Sequence, residues 1–306
     1  MQILNTIIPI FVIILLGLFA RRKGYIPPEF LAPANRLVYY LAIPALVFSA
    51  ISKASLKTQF SLATLTLSLA AVGAIFIVAW IWAIAGRYRQ GALATFVQSS
   101  IHGNLGYVGL AVAFYYLGDE GFIRAGIITG FMMILQNLLS IIILQLYGDA
   151  NQVRHRWWQI AWKVAGNPVI LAAILGILFS LLDIPVPVIV DRSLRILSAM
   201  ALPTALLIIG ASLSLKLMHT NIKPVLSTAV LKLVVLPAVG LTTFQLLDIA
   251  TADAVPALIL LSSPTATVSY VMAREMKGDT DMAVAAISGS TLLSAATFIF
   301  WLRVAG

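Results

Sequence analysis

The 306-residue sequence is 61% hydrophobic and 10% charged, has a mean hydropathy of +1.01 and contains no cysteine. Apolar runs of eighteen or more residues recur along its whole length, a pattern that a bilayer requires and a soluble core does not. Disulfides and thiolate metal sites are excluded, the three histidines (His102, His155, His219) lack metalloprotease-type spacing, and the net charge of +9 reads as basic residues at cytoplasmic helix ends, not as a nucleic-acid footprint.

Ten spans are expected, at about residues 3 to 20, 31 to 52, 61 to 86, 91 to 117, 121 to 147, 167 to 182, 190 to 214, 224 to 247, 253 to 273 and 281 to 303. No soluble domain is left over, and no cofactor is expected. The first run is followed by Arg21-Arg22-Lys23 and preceded by no positive charge, the reverse of a signal peptide. With the N-terminus outside, thirteen Lys and Arg residues fall on inner loops and helix ends and six on outer ones, with Lys232 inside a span. Both termini are therefore expected outside, and the loop at 148–166 in the cytoplasm.

Span 1 contains Pro9 and Gly17, and a shift of 159 residues lays these on Pro168 and Gly176 of span 6. The same shift superposes Pro28 on Pro187, Arg36 on Arg195, Pro44 on Pro203 and Gly130 on Gly289. Five spans per half, an odd number, would insert the second copy upside down. Residues 1–147 and 167–306 are thus expected to be two inverted repeats. Spans 2 and 7 carry the mid-span prolines Pro44 and Pro203, read as packing kinks ahead of a direct substrate role. Trp80 and Trp82 in span 3 read as headgroup anchors.

Span 4 has Ser99-Ser100-Ile101-His102-Gly103-Asn104-Leu105-Gly106-Tyr107-Val108-Gly109 at its centre, where apolar residues are expected. These small residues either let another helix approach or open the helix. Opening is favoured because the repeat lays Asn104 and Leu105 on Ser263 and Pro264 of span 9, where Ser263-Pro264-Thr265-Ala266-Thr267 interrupts an apolar run. Gln136 and Asn137 in span 5 suit either pore lining or interhelical bonding. The central loop, with Trp157, Trp158 and Trp162 among Arg154, Arg156 and Lys163, reads as an interfacial helix. Lys232 lies about eight residues into span 8, roughly 12 Å deep, either as a substrate counter-charge or as a cation capping the carbonyl ends of the broken helices.

Two broken helices entering from opposite sides each present an N-terminal end that favours anions and a C-terminal end that favours cations. No Asp or Glu lies at comparable depth, which argues against a cation/proton antiporter and for an anionic cargo.

The segments GYIPPEFLAPANRLVYYLAIPALVF, GNLGYVGLA, Asn167-Pro168, ALPTALLIIGASL and SPTATVSYVMARE followed by Gly278-Asp279 resemble the auxin efflux carrier family, including its bacterial malonate and malate permease homologues. The resemblance implies an all-α polytopic membrane protein of ten helices in two inverted five-helix repeats. Helices 4 and 9 would be broken and crossing, as in bile-acid symporters and sodium/proton antiporters. It further implies a scaffold of spans 1, 2, 6 and 7, a transport domain of spans 3 to 5 and 8 to 10, an elevator or rocking motion, and a homodimer joined through the scaffold in the cell membrane. The cargo implied is a small organic anion, and the protein is not an enzyme. Residue by residue, the substrate set is Asn104, Gly106, Tyr107, Gly109, Asn137, Pro264, Thr265, Ala266 and Thr267, with His102, Gln136 and Lys232 supporting the crossing. The proline that usually follows the Gly-Leu of helix 4 is Ala111 here, and the long cytoplasmic loop of plant carriers is missing, so auxin itself and kinase regulation are not implied. A sodium-coupled symporter of the bile-acid type is the nearest alternative, and a channel or receptor the next.

Overall fold

The computed structural model describes residues 2–53, 59–147, 166–220 and 222–305. Among these the chain is helical throughout, and the one β-type contact is an isolated antiparallel bridge between Gly103 and Thr265. In chain order the helices are α1 (Gln2–Arg22), α2 (Pro28–Leu37), α3 (Ile43–Ile51), α4 (Leu62–Ala85), α5 (Gln90–Ile101), α6 (Leu110–Tyr147) and α7 (Pro168–Leu181). They continue with α8 (Val188–Ala199), α9 (Ala201–Ser212), α10 (Leu215–Thr220), α11 (Ile222–Ala229), α12 (Leu236–Leu246), α13 (Thr251–Leu261), α14 (Val268–Glu275) and α15 (Thr280–Ala305). Three π turns, Val38–Ala42, Leu105–Gly109 and Val230–Val235, link α2 to α3, lead into α6 and link α11 to α12.

Seven continuous helical runs among the described residues are long and apolar enough to cross a membrane, so this is a polytopic membrane protein. Six of them match expected spans to within a few residues, and the seventh, Leu105–Tyr147, runs from the second half of the expected span 4 through span 5; α7 and α13 are shorter apolar helices. Large apolar side chains such as Ile8, Val12 and Leu15 of α1 and Ile174 and Leu175 of α7 face outward, as lipid allows and water does not. The long α6 is bent at Gly118, whose φ of 67° lies in the left-handed region that glycine alone enters without a Cβ penalty. Asn167 starts α7 by accepting from Val169 N–H at 2.9 Å and Ile170 N–H at 3.3 Å, ahead of Pro168 in the first turn.

Three prolines of the runs, Pro44, Pro203 and Pro237, sit where the backbone tolerates the missing N–H. The π turns Val38–Ala42 and Val230–Val235 lie directly before Pro44 and Pro237, widening the turn that the pyrrolidine ring would otherwise clash with. Leu233, four residues before Pro237, loses its helical partner, and its carbonyl accepts from Trp301 Nε1 at 2.7 Å. Pro203 lies in the first turn of α9, just after the helix stops at Ala199, where its N–H would be unpaired in any case.

Packing is closest where glycines meet backbone. α1 crosses α9 so tightly that a Cβ on Gly17 would lie 2.2 Å from Leu207 O and one on Gly210 1.7 Å from Ile14 O. α7 lies against α3, where a Cβ on Gly176 would come within 2.9 Å of the Ile51 Cβ. Ion pairs Lys53–Asp191 (2.5 Å) and Arg124–Asp253 tie the end of α3 to α8 and α6 to α13. Of the two expected headgroup anchors, Trp82 is exposed. Trp80 instead turns inward and donates from Nε1 to the Tyr147 hydroxyl at 2.9 Å, because that face of α4 packs on the end of α6. The expected interfacial helix around Trp157, Trp158 and Trp162 lies outside the described residues.

Candidate functional site

Two helices end against each other inside the bundle. α5 stops at Ile101 and helix resumes at Leu105; α13 stops at Leu261 and helix resumes at Val268. The segments between run antiparallel, with Asn104 N–H donating to Pro264 O at 2.7 Å and Ala266 N–H to His102 O at 2.8 Å. Gly103 and Thr265 are the facing pair, 162 residues apart where the repeat shift is 159. In such a bridge the N–H groups of the facing residues point outward. Gly103 N–H donates to Gln136 Oε1 of α6 and Thr265 N–H to Ser290 Oγ of α15, each at 3.0 Å.

The carbonyl end of α13 is fully satisfied and that of α5 in part. All four final carbonyls of α13 have donors: Ser262 N–H on Leu258 O (2.9 Å), Ser263 Oγ on Ile259 O (3.1 Å), Ser263 N–H on Leu260 O (3.2 Å) and Lys232 Nζ on Leu261 O (2.7 Å). At the end of α5, His102 N–H donates to Gln98 O at 2.9 Å, and Thr265 Oγ1 reaches across the crossing to Ser99 O at 2.8 Å. These bonds replace those a continuous helix would make.

The N–H ends are less complete. Asn104 Oδ1 accepts from Tyr107 N–H at 3.3 Å, and Ser269 and Tyr270 N–H reach Ala266 O and Thr267 O. The N–H groups of Gly106, Thr267 and Val268 take no hydrogen bond among the described residues. Because Asn104 and Gln136 each accept from a backbone N–H, their amides are oriented with the NH₂ as the free end. Both Asn104 Nδ2 and Gln136 Nε2 are buried without a partner. No carboxylate is among the buried side chains of the described residues. Spare N–H donors at helix N-termini, away from acidic groups, suit a ligand rich in acceptors and negative charge.

The other expected residues are placed as follows. Gly106 faces the Met133 methyl, and Gly109 faces Ser263 Oγ and Leu260 of the opposite segment. The Tyr107 hydroxyl donates to Asn35 Oδ1 of α2 at 2.7 Å, joining the crossing to the N-terminal helices. Thr267 is half-buried and makes no side-chain cap. Asn137 is half-buried too and donates to Met133 O of its own helix at 2.8 Å, so Gln136 is the amide of the pair that reaches the crossing. His102 Nδ1 meets Ser140 Oγ at 3.0 Å, and Lys232 is fully buried. Ser140 and Ser290 are additions; Ser288-Gly289-Ser290, a small polar interruption of the last span, was the available signal. Ser288 Oγ likewise accepts from Ser214 N–H at 2.9 Å.

The family described as "Membrane transport protein" matches residues 2–302. The chain belongs to this membrane transport protein family. It is a membrane transporter, and the family is the auxin efflux carrier group that its motifs resemble. Similar members of the membrane transport protein family include a Rhizobium meliloti (strain 1021) protein named "Putative malonate transporter", 27% identical over 302 residues, 97% of this chain and 93% of its own. A Methanothermobacter thermautotrophicus protein named "Uncharacterized transporter" is 23% identical over 298 residues, 97% of this chain and 96% of its own. An Escherichia coli (strain K12) protein named "Uncharacterized transporter YfdV" is 26% identical over 202 residues, 64% of this chain and 63% of its own.

Proposed function

We propose that this transporter moves a small organic anion, a carboxylate, bound where the second halves of the two broken helices begin. The observation that carries this reading is the imbalance at the crossing. All four final carbonyls of α13 and two of those of α5 are capped, whereas Gly106, Thr267 and Val268 N–H and the amide ends of Asn104 and Gln136 remain free. A carboxylate offers about four lone-pair sites to such donors, and each half-helix start adds about half an elementary positive charge. The name of the Rhizobium relative agrees with a dicarboxylate as cargo. Asn104, Gly106, Tyr107, Gly109, Pro264, Thr265, Ala266 and Thr267 frame this site, and Asn137 lines its approach.

The same reading takes the chain as ten spans in two inverted repeats, residues 1–147 and 167–306, with broken spans at α5 and α13 and a short one at α7. Its support is the packing: α1 pairs with α9 and α3 with α7, the exchange that a two-fold relation between spans 1 and 2 and spans 6 and 7 produces. Gly17 and Gly176, related by the 159-residue shift, are close-approach points of these two pairs. Spans 1, 2, 6 and 7 then form a scaffold, joined as a homodimer, and the remaining spans carry the anion across the cytoplasmic membrane in an elevator motion. Both termini lie outside.

Reconstituted in proteoliposomes, the protein should take up malonate or malate saturably. Asn104→Ala should lower uptake about tenfold or more, the loss of one charge-assisted hydrogen bond, and Pro264→Ala, which restores a backbone N–H and lets the helix close over the break, should lower it as well; both variants should remain folded and inserted. Normal transport by both variants, or flux that does not saturate, overturns the proposal.

A further inference from the structure

Lys232 has a position that the anion site does not explain. It lies in the π turn before Pro237 and is fully buried, and its Nζ donates to the last carbonyl of α13, Leu261 O, at 2.7 Å. A Cβ on Gly103 would lie 3.2 Å from both Lys232 Cε and Nζ. The ammonium is therefore wedged between the end of α13 and the break after α5, against a residue that has no side chain to obstruct it.

A buried ammonium needs a compensating negative charge. The buried side chains of the described residues include no carboxylate, so an acid does not supply it. The helix ends do. α5 and α13 both terminate here, and each C-terminal end carries about half a negative elementary charge, so the two together come to about one unit, which a single ammonium neutralises. In carriers built on broken helices, such ends and the unwound carbonyls beside them are where a coupling sodium ion is held.

We propose that Lys232 is a tethered cation filling the cation position of the crossing, so that the transporter works without sodium. Removing the side chain converts that position into a site for a free monovalent cation, either sodium or a short primary alkylammonium. The consequence for coupling rests on the transport reading above; the binding site itself does not, and its test reads stability.

Purified wild type, Lys232→Ala and Lys232→Met are unfolded thermally in sodium, ethylammonium and choline chloride at equal ionic strength, with and without malonate. Wild type should unfold at the same temperature in all three salts. Lys232→Ala should unfold lower in choline and recover by roughly 2–4 °C or more in sodium or ethylammonium, because a ligand of the folded state alone raises its stability. Lys232→Met keeps the volume of the stem and should respond to sodium but not to ethylammonium. If Lys232→Ala does not survive in choline, extraction in sodium or ethylammonium should recover it. The proposal is overturned if sodium stabilises wild type, if wild-type malonate uptake needs sodium, if neither variant responds to a cation, or if neither is recovered in any salt. It is also overturned if Lys232→Ala loses its malonate response and no cation restores it, since Lys232 would then be the substrate's own counter-charge. The malonate shift of wild type in the same series tests the transport reading separately, and either result can fail without the other.

Discussion

Replacing Gly109 by alanine probes how closely the two broken segments meet. A Cβ there would lie 2.7 Å from Ser263 Oγ and 3.0 Å from Leu260 Cδ2. The hydroxyl is about 0.7 Å short of ordinary contact, a misfit in the range where cores lose about 1–3 kcal/mol. Rotating Ser263 away would relieve it but would break the bond from its fully buried Oγ to Ile259 O, worth about 1 kcal/mol. Alanine recovers about 0.5–1 kcal/mol of backbone entropy relative to glycine, leaving a net loss of about 1–2 kcal/mol. Thermal unfolding in detergent should show it as a fall on the order of 2–6 °C. In the Ser263→Ala background the hydroxyl is gone, and Gly109→Ala should cost about 1 kcal/mol less, a coupling that a double-mutant cycle reads directly. Wild-type stability of the single variant, or strict additivity of the pair, refutes the reasoning.

Three further substitutions address the other contacts. Gln136→Leu strands the buried Gly103 N–H and removes a free amide donor. It should lower stability by about 1–3 kcal/mol and abolish any malonate-induced thermal shift, and retention of that shift would remove Gln136 from the site. Tyr107→Phe breaks the 2.7 Å bond to Asn35, at a cost of about 0.5–1.5 kcal/mol. In the elevator motion proposed above, this bond joins parts that move relative to each other, so initial uptake rates should change, and unchanged rate and stability together count against the link. Gly210→Ala drives a Cβ to within 1.7 Å of Ile14 O, where only backbone can yield. Loss of monodisperse protein is expected, at about 3 kcal/mol or more, and wild-type yield on size exclusion contradicts the packing.

The membrane-spanning runs were legible because the signal is local: a helix that faces lipid is apolar on all sides, whatever its neighbours are. The breaks were legible for a related reason, since Pro264 and the glycines at 103, 106 and 109 act on their own backbone. What proline does to its neighbours was not. The bond from Trp301 to Leu233 O and the turn of Trp80 toward Tyr147 depend on helices far apart in the chain. Gln136 and Asn137 were indistinguishable by composition, being adjacent on one helix and about 100° apart around it. Only the rotation of α6 against the crossing turns Gln136 inward.

The chain's own residues thus determined that it enters a membrane repeatedly, where its helices open and that no Asp or Glu lies at a depth comparable to Lys232 in the expected spans, because these follow from backbone chemistry and composition. Tertiary structure decided the register of the crossing, Gly103 against Thr265, and which atoms cap each opened end. It also decided that Lys232 takes the Leu261 carbonyl while Gly106, Thr267 and Val268 N–H stay free. Those choices depend on the distance and rotation between helices more than a hundred residues apart, which packing sets and no local pattern encodes.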